Sequence, residues 1–345
     1  MIQFASGFQA GNVIAPGLAR ILAQVVAAGA LAVLPVTASA QPADAYPART
    51  VRMLVPFTPG GAPDLIARHL APRLSEALGQ SFVVENRAGA GGNLGVEAVI
   101  KSVPDGYTVL VGNVSTNAIN ESLFAAVMSI RPSRDLAGVT LLVEIPHVLA
   151  VTPSFPARSV AELVALAKKS PGKLNYASAG PGGYPHLDTL RLQKAAGIEM
   201  THVAYKGAAP IMQALITGEV QMAFLNLASG LPQLKADKLR AIATVTSTRL
   251  AEMPDLATMG EQGYAGIGTN AWQGMFVPAA TPAPVVDKLF RSVSGVLSRP
   301  EMRDMLAKQM LHVNLSKSPK EFTDFVRAET EKWAAVVQEN NVKVE

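Results

Sequence analysis

The feature that most constrains this chain is a strand, a Gly/Pro loop and a helix start in direct succession. Residues 51–56 are almost all apolar, which predicts a strand buried on both faces, as in a parallel sheet. The loop that follows contains Gly60 and Gly61, and Asp64 stands where it can cap a helix running from Leu65. A helix start has unpaired N–H groups and a partial positive charge, and glycines let an anion approach the backbone. The segment therefore predicts one wall of an anion site.

The same unit recurs further along the chain. Residues 82–85 predict a strand followed by a glycine loop and a helix, and residues 107–112 predict a strand followed by the polar loop 113–117. Within the first helix, Pro72 is expected to kink or end the helical segment before Gly79 stops it. Three strands separated by helices predict a right-handed βαβαβ sheet. Such sheets bind ligands beyond the carboxyl ends of their strands.

A second α/β series begins near residue 148, and a last strand near residue 272 returns to the first series. The second series has strands separated by helices, with Ser159 as a helix cap, and two further helices complete the chain. We therefore predict an α/β protein of two lobes joined by two crossing strands. Lobe 1 is residues 41–147 plus 273–345, and lobe 2 is residues 148–272, inserted into lobe 1. A cleft between two such lobes can close on a ligand.

Residues 1–40 are expected to be a signal peptide. An apolar run follows Arg20, and the sequence ASA at 38–40 has the form of a signal-peptidase site, which predicts cleavage after Ala40. The alternative is a membrane anchor, but polar and proline residues interrupt a run that is already shorter than a span of about 20 residues. We therefore expect an exported protein.

Composition excludes several classes of function. The formal net charge of +4 over 345 residues is small, and the basic residues are scattered rather than clustered with aromatic ones, which argues against nucleic-acid binding. The chain has no cysteine, so disulfides, thiolate metal sites and a cysteine nucleophile are excluded.

Catalytic and cofactor motifs are missing from the sequence. There is no G-x-S-x-G elbow, H-E-x-x-H or Walker loop, and the five histidines form no pair with metal-ligand spacing. The glycine run 89–95 has Leu94 where a G-x-G-x-x-G dinucleotide loop needs glycine, so a tight turn with close helix packing is favoured. His186 is interpreted as packing at a helix start or as contacting ligand, and Asp64 as a cap rather than a general base. We therefore expect binding without catalysis, with no metal or cofactor.

Five segments together resemble the Bug-type substrate-binding proteins of tripartite tricarboxylate transporters. They are PFTPGGAPD at 56–64, VVENRAGAGGN at 83–93, PDGYT at 104–108, SPGKLNYASAG at 170–180 and HVAYKG at 202–207. The resemblance implies a periplasmic, type II periplasmic-binding-protein fold that closes on a small carboxylate. It also implies that backbone groups and waters hold the carboxylate at the loops matching residues 57–64, 113–117 and 179–186.

The ligand-binding residues expected on this basis come from both lobes. They are Phe57, Thr58, Gly60, Gly61, Ala62, Asn113, Ser115, Thr116, Ala179, Gly182, Gly183, Tyr184 and Asn226. Gly183 stands where many family members have Ser or Thr, so Tyr184 is expected either to replace that hydroxyl donor or to fill the pocket. Leu225 stands where many members have Asp, which argues against a ligand with an amino group and for a more apolar or purely acidic one. Trp272 is expected to be a pocket wall or a hinge neighbour.

We expect an exported, monomeric receptor that presents a small carboxylate to membrane permease subunits. A ligand-sensing partner of a signalling receptor would have the same fold and site, so the sequence leaves both interpretations open. An exported hydrolase would need a nucleophile–base pair, and none is recognisable in the sequence.

Overall fold

The computed structural model describes residues 46–269, 271–340 and 342. Its strands are β1 Val51–Val55, β2 Phe82–Asn86, β3 Thr108–Asn113, β4 Leu136–Ile145, β5 His147–Val151, β6 Asn175–Ser178, β7 Thr201–Ala204, β8 Met222–Asn226, β9 Arg240–Thr244, β10 Ala271–Pro278 and β11 His312–Val313. Its α-helices are α1 Ala62–Leu78, α2 Asn93–Ile100, α3 Asn120–Leu123, α4 Pro132–Asp135, α5 Val160–Lys169, α6 Tyr184–Ala196, α7 Ala208–Thr217, α8 Leu227–Lys235, α9 Ala283–Leu297, α10 Pro300–Ala307 and α11 Pro319–Glu339. The predicted signal peptide and its cleavage site lie outside the described residues.

The first sheet has the strand order β11-β4-β10-β3-β1-β2. Strand β1 pairs in parallel with both β2 and β3, which confirms the predicted parallel arrangement of these three strands. Strand β10 is antiparallel to β3 and β4. The sequence prediction missed β4, a strand buried at almost every position, because its continuous apolar run shows no alternation to separate strand from helix.

The second sheet has the order β7-β6-β8-β5-β9. The chain passes from one sheet to the other at Pro146, since β4 ends at Ile145 and His147 already pairs with β8. It returns before Ala271, which pairs with Ile145, and Trp272 is likewise a residue of the first sheet. The two crossings therefore fall close to the predicted lobe boundaries, and the division into two lobes stays a prediction.

Helix α1 differs from its prediction in two ways. It begins after Gly61, so Asp64 lies in its first turn and is not the N-cap residue. Pro72 lies inside a helix that continues to Leu78. The proline is exposed, so water can reach the carbonyl group that loses its N–H partner, and burial of the opposite face of α1 outweighs the cost. Gly79 ends the helix in the left-handed conformation, as predicted.

Three other segments are more helical than the sequence predicted. The polar segment 113–117 enters a π-helical turn, Ser115–Ile119, that leads into α3. Helix α6 begins at Tyr184, inside the segment 179–186 that the sequence analysis treated as a loop. Among the described residues three helices, not two, follow β10, because α10 was missed. Ser159 caps α5 as predicted, and Ser318 caps α11; each accepts a hydrogen bond from a glutamate N–H.

Helix α11 packs an aromatic face on the first sheet. Phe322 and Phe325 lie edge-on to the ring of Trp272, at centroid distances of 6.1 and 5.5 Å. The indole N–H of Trp272 donates to Glu329 on the same helix. Across the described residues, the helices are all too short or too polar to cross a bilayer.

Candidate functional site

A cavity of about 90 Å³ lies between the loops of the two sheets. Helices α1, α6, α7 and α8 begin at this cavity, and it lies beyond the carboxyl ends of β1, β3, β6 and β8. In both sheets this is the edge where α/β folds place their ligands. Ten of the predicted site residues line the cavity. They are Phe57, Thr58, Gly61, Ala62, Asn113, Ser115, Ala179, Gly183, Tyr184 and Asn226.

The other three predicted residues do not line the cavity. Gly60 donates its N–H to Asp64, at 3.0 Å, and so shapes the loop from behind. Thr116 is fully buried, and its hydroxyl donates to Oδ1 of Asn117 at 2.7 Å. Gly182 has a φ of 73° and lies against Leu123, whose Cδ2 would be 1.6 Å from a Cβ at position 182. These residues support the walls of the cavity without facing it.

Asp64 fixes the loop between β1 and α1. Its carboxylate accepts hydrogen bonds from Gly60 N–H, Arg68 Nε at 2.8 Å and Asn86 Nδ2 at 2.9 Å. Burial alone would raise the pKa of Asp64, but these hydrogen bonds, chiefly the one from Arg68, outweigh burial and lower it. A carboxylate held by three hydrogen bonds stabilises the loop and does not serve as a general base.

Asn113 and Ser115 supply the polar side chains on the first-sheet side. Oδ1 of Asn113 accepts the N–H of Thr116, so its amide nitrogen is turned the other way. Ser115 accepts the N–H of Tyr184 on its oxygen, at 3.2 Å. Neither the amide nitrogen of Asn113 nor the hydroxyl proton of Ser115 has an acceptor among the described residues, although both side chains are only 7% exposed. Both can donate to a bound oxygen atom.

Tyr184 fills part of the cavity and does not replace a missing hydroxyl donor. Its hydroxyl lies 2.5 Å from Nε2 of His147, whose Nδ1 lies 2.9 Å from the carbonyl oxygen of Ile145. A carbonyl can only accept, so Nδ1 carries the proton and Nε2 accepts from Tyr184. Burial lowers the pKa of His147 to about 4, which keeps this imidazole neutral.

Three hydrogen bonds cross between the first-sheet and second-sheet sides of the cavity. Thr58 donates its hydroxyl to the carbonyl of Lys206, and Ser229 donates to the carbonyl of Gly60. The third bond is the one between Tyr184 and Ser115. The structure thus has the loops of both sheets in direct contact around the cavity.

The cavity lining is electrically neutral. Every lining residue in the described part of the chain is uncharged, and the polar ones are Thr58, Ser115, Tyr184 and three asparagines. An anion bound here would therefore rely on N–H and O–H donors. Neutral donors suit a carboxylate when water is kept away from them.

His186, which the sequence left open between packing and ligand contact, supports the loop. Its Nδ1 accepts the N–H of Gly182 at 2.8 Å, and its ring stacks on His202 at 4.1 Å. Burial lowers the pKa of His186 to about 4. The glycine run also packs, because a Cβ at Gly95 would lie 2.8 Å from the Cα of Pro56. Of that run, Gly91 alone reaches the cavity.

Eleven lining residues were not among the predicted ligand-binding residues. Pro63, Gly180, Pro181 and Pro185 lie in the loops predicted to hold the carboxylate, and Leu225 was predicted to affect ligand choice. The sequence missed the other six, which are Gly91, Asn120, Gly207, Ala208, Ile211 and Phe224. Gly207 closes the quoted segment HVAYKG, so its glycine was the signal that pointed to α7.

Trp272 was expected to be a pocket wall or a hinge neighbour. It is buried under α11, next to the return crossing at Ala271, and it does not line the cavity.

Comparisons with known proteins agree with this architecture. The sequence profile described as "Tripartite tricarboxylate transporter family receptor" matches residues 66–342. Protein BugT of Bordetella pertussis is 34% identical over 88% of this chain and 92% of its own length. Two solved structures from Rhodopseudomonas palustris are similar to this chain. Rpa4515 with adipate has a TM-score of 0.83 and 34% identity, and the match covers 86% of this chain and 99% of that one. MatC with bound malate has a TM-score of 0.80 and 33% identity, and the match covers 85% of this chain and 100% of that one.

The cavity lies between the loops of two α/β sheets, and the matched family is one of solute-binding receptors rather than enzymes. The chain belongs to the tripartite tricarboxylate transporter receptor family, whose members are periplasmic solute-binding proteins. The Bug-type resemblance seen in the sequence is therefore confirmed, as is the mixed α/β binding-protein fold.

Proposed function

We propose that this protein is an exported receptor that captures a small carboxylate in the cavity and presents it to a tripartite tricarboxylate-type permease. The observation that carries the proposal is a neutral cavity with unpaired donors. Asn113 and Ser115 are nearly buried there and have donor hydrogens without an acceptor among the described residues. A carboxylate satisfies such donors, whereas leaving them dry and unpaired costs about 1–3 kcal/mol each.

Family membership and the ligands of relatives support the carboxylate. The two Rhodopseudomonas palustris proteins hold adipate and malate, which are both dicarboxylates. In our proposal Gly61 and Ala62 donate from the start of α1, and Asn113 and Ser115 donate from the end of β3. The two lobes open and close about the crossings near Pro146 and Ala271, and the bonds between the two sides of the cavity belong to the closed form.

The experiment is mass spectrometry of small molecules released from freshly purified, denatured protein. We expect a carboxylate that fits the cavity, released in an amount comparable to the protein. Release of a nucleotide or of a cationic amine instead would contradict the proposal.

Export and partner are tested separately. N-terminal sequencing of protein recovered from the periplasm should begin at Gln41, as cleavage after Ala40 requires. Uptake of the identified ligand should depend on both this receptor and a tripartite permease. Uptake that persists without the permease would instead favour the sensor interpretation.

A further inference from the structure

Four helices begin at the cavity, but among the described residues only two of them, α1 and α7, line it with a first-turn residue whose N–H group is free for a ligand. The first-turn N–H groups of Ala62 in α1 and Ala208 in α7 have no acceptor in the described part of the chain. Both residues line the cavity. Their helices are 17 and 10 residues long, so each start has a developed partial positive charge.

The other two helix starts are already satisfied by the protein. In α6, Tyr184 and His186 donate their N–H groups to protein oxygens, and Pro185 has none. In α8, Leu227 and Ser229 likewise donate to protein oxygens. Of the first-turn residues in these two helices, only Tyr184 and Pro185 line the cavity, and neither has an N–H group left for a ligand.

The starts of α1 and α7 lie next to each other. Thr58, just before α1, donates to the carbonyl of Lys206, just before α7, at 3.1 Å. A Cβ at Gly207 would lie 2.3 Å from Oγ1 of Thr58, so the two loops touch. The unpaired donors of Asn113 and Ser115 also belong to the first-sheet side. The free donors therefore form one set, suited to a single anionic group.

Apart from the start of α7, the second-sheet side lines the cavity mainly with apolar groups. Ile211, Phe224 and Leu225 line it, and the Tyr184 hydroxyl is engaged by His147. Burying a second carboxylate against that wall would leave its charge unpaired. The cavity of about 90 Å³ suits a small ligand.

We propose that the ligand is a small monocarboxylate with an apolar body, its carboxylate on the joint donor set of α1, α7, Asn113 and Ser115 and its body on the wall of Tyr184 and Leu225. This inference rests on the proposed function and narrows it. It also decides between the two ligand types that Leu225 leaves open in the sequence, an apolar acid and a purely acidic one. Relatives that hold a dicarboxylate would differ in the donors of their second wall.

Isothermal titration calorimetry with paired probes tests the inference. Protein freed of resident ligand is titrated with hexanoate and adipate, which share a six-carbon chain, and with benzoate and malate. We expect hexanoate or benzoate to bind at least about tenfold more tightly than either dicarboxylate, a difference of about 1.4 kcal/mol. Adipate or malate binding as tightly or more tightly overturns the inference and leaves the receptor function intact. Binding of none of the four probes at millimolar concentration overturns both.

A substitution in the wall provides an independent test. Leu225→Asn places a donor opposite the carboxylate set, and we expect it to weaken hexanoate at least about tenfold relative to adipate. Leu225→Met conserves volume and is expected to keep the preference of the wild type. An unchanged preference in a folded Leu225→Asn protein would contradict the assignment of this wall.

Discussion

The hydroxyl of Tyr184 lies 2.5 Å from Nε2 of His147, and through it the cavity wall is tied to the crossing between the two sheets. His147 begins β5 immediately after Pro146, and Tyr184 begins α6. The rings also meet edge to face, with centroids 4.8 Å apart. Nδ1 of His147 in turn donates to the carbonyl oxygen of Ile145, which precedes Pro146. A ligand that contacts Tyr184, as we propose, is thereby connected to the backbone of the crossing.

We predict that Tyr184→Phe lowers the free energy of unfolding by about 1–3 kcal/mol, because Nε2 of His147 loses its buried partner. Urea denaturation measures the change. Tyr205→Phe is the matched control, since the Tyr205 hydroxyl bonds Glu219 at an exposed position and its loss should cost less than about 0.5 kcal/mol. Equal costs for the two variants would contradict the buried hydrogen-bond chain.

Stability should depend on pH through His147. Its pKa is about 4 in the folded protein and about 6.5 in the unfolded chain, so only the unfolded chain takes up a proton between those values. The stabilisation from neutral His147 is complete above pH 6.5 and is lost as pH falls toward 4, by roughly 3 kcal/mol at most.

Asp188 acts in the opposite direction, so the test needs a variant. Burial raises the pKa of Asp188 to about 7, and this carboxyl destabilises the fold as pH rises through that value. Urea denaturation of the wild type and of His147→Gln across pH 4.5–7.5 isolates the histidine. The wild type should lose stability relative to the variant on acidification. If the free energies of unfolding of the wild type and of His147→Gln changed in parallel with pH, the lowered pKa of His147 would be contradicted.

Gly182→Ala should weaken ligand binding more than it weakens the fold. A Cβ there would meet Leu123 of α3, on the first-sheet side, at 1.6 Å from Cδ2, and the opening of the lobes that we propose would relieve the clash. Gly266→Ala is a close control because Gly266 has the same φ of 73° and open space around it. Both variants should lose about 1–2 kcal/mol of stability from the left-handed backbone. By calorimetry, Gly182→Ala alone should lose at least about tenfold in affinity.

Similar affinities for the two alanine variants would mean that the contact between Gly182 and Leu123 does not form part of ligand capture. A drop in affinity for Gly266→Ala as large as that for Gly182→Ala would trace the effect to backbone strain alone.

The sequence predicted the strands and loops around the site better than the residues that line it. Strands β1 to β3 and their loops follow from apolar runs and glycines, which are local signals. Strand β4 was missed because a continuous apolar run looks alike in a buried strand and a buried helix. The walls contributed by Ile211 and Phe224 were missed because only tertiary packing brings them to the cavity.

Side-chain direction was also beyond the sequence. Tyr184 was placed at the site, but whether its hydroxyl faced the ligand or the protein depended on His147, which precedes it by a whole βαβ unit. Thr116 and Ser115 are neighbours of similar chemistry, and the π-helical turn aims one at the cavity and buries the other. Such choices follow from packing rather than from residue type.

The central claim is that a carboxylate sits on the start of α1, and Gly61→Val tests it most directly. Gly61 has an ordinary φ of −80°, and a Cβ there would have no contact shorter than 3.8 Å, so the fold should tolerate valine. Gly295→Val, in an open position on α9, controls for the added side chain.

The measurement is the amount of carboxylate released per molecule of purified protein, read by mass spectrometry for the wild type and both variants. We predict that the wild type and Gly295→Val release equal amounts and that Gly61→Val, with an unchanged thermal transition, releases at least about tenfold less. Equal release from a folded Gly61→Val protein would contradict the assignment of the carboxylate to this helix start.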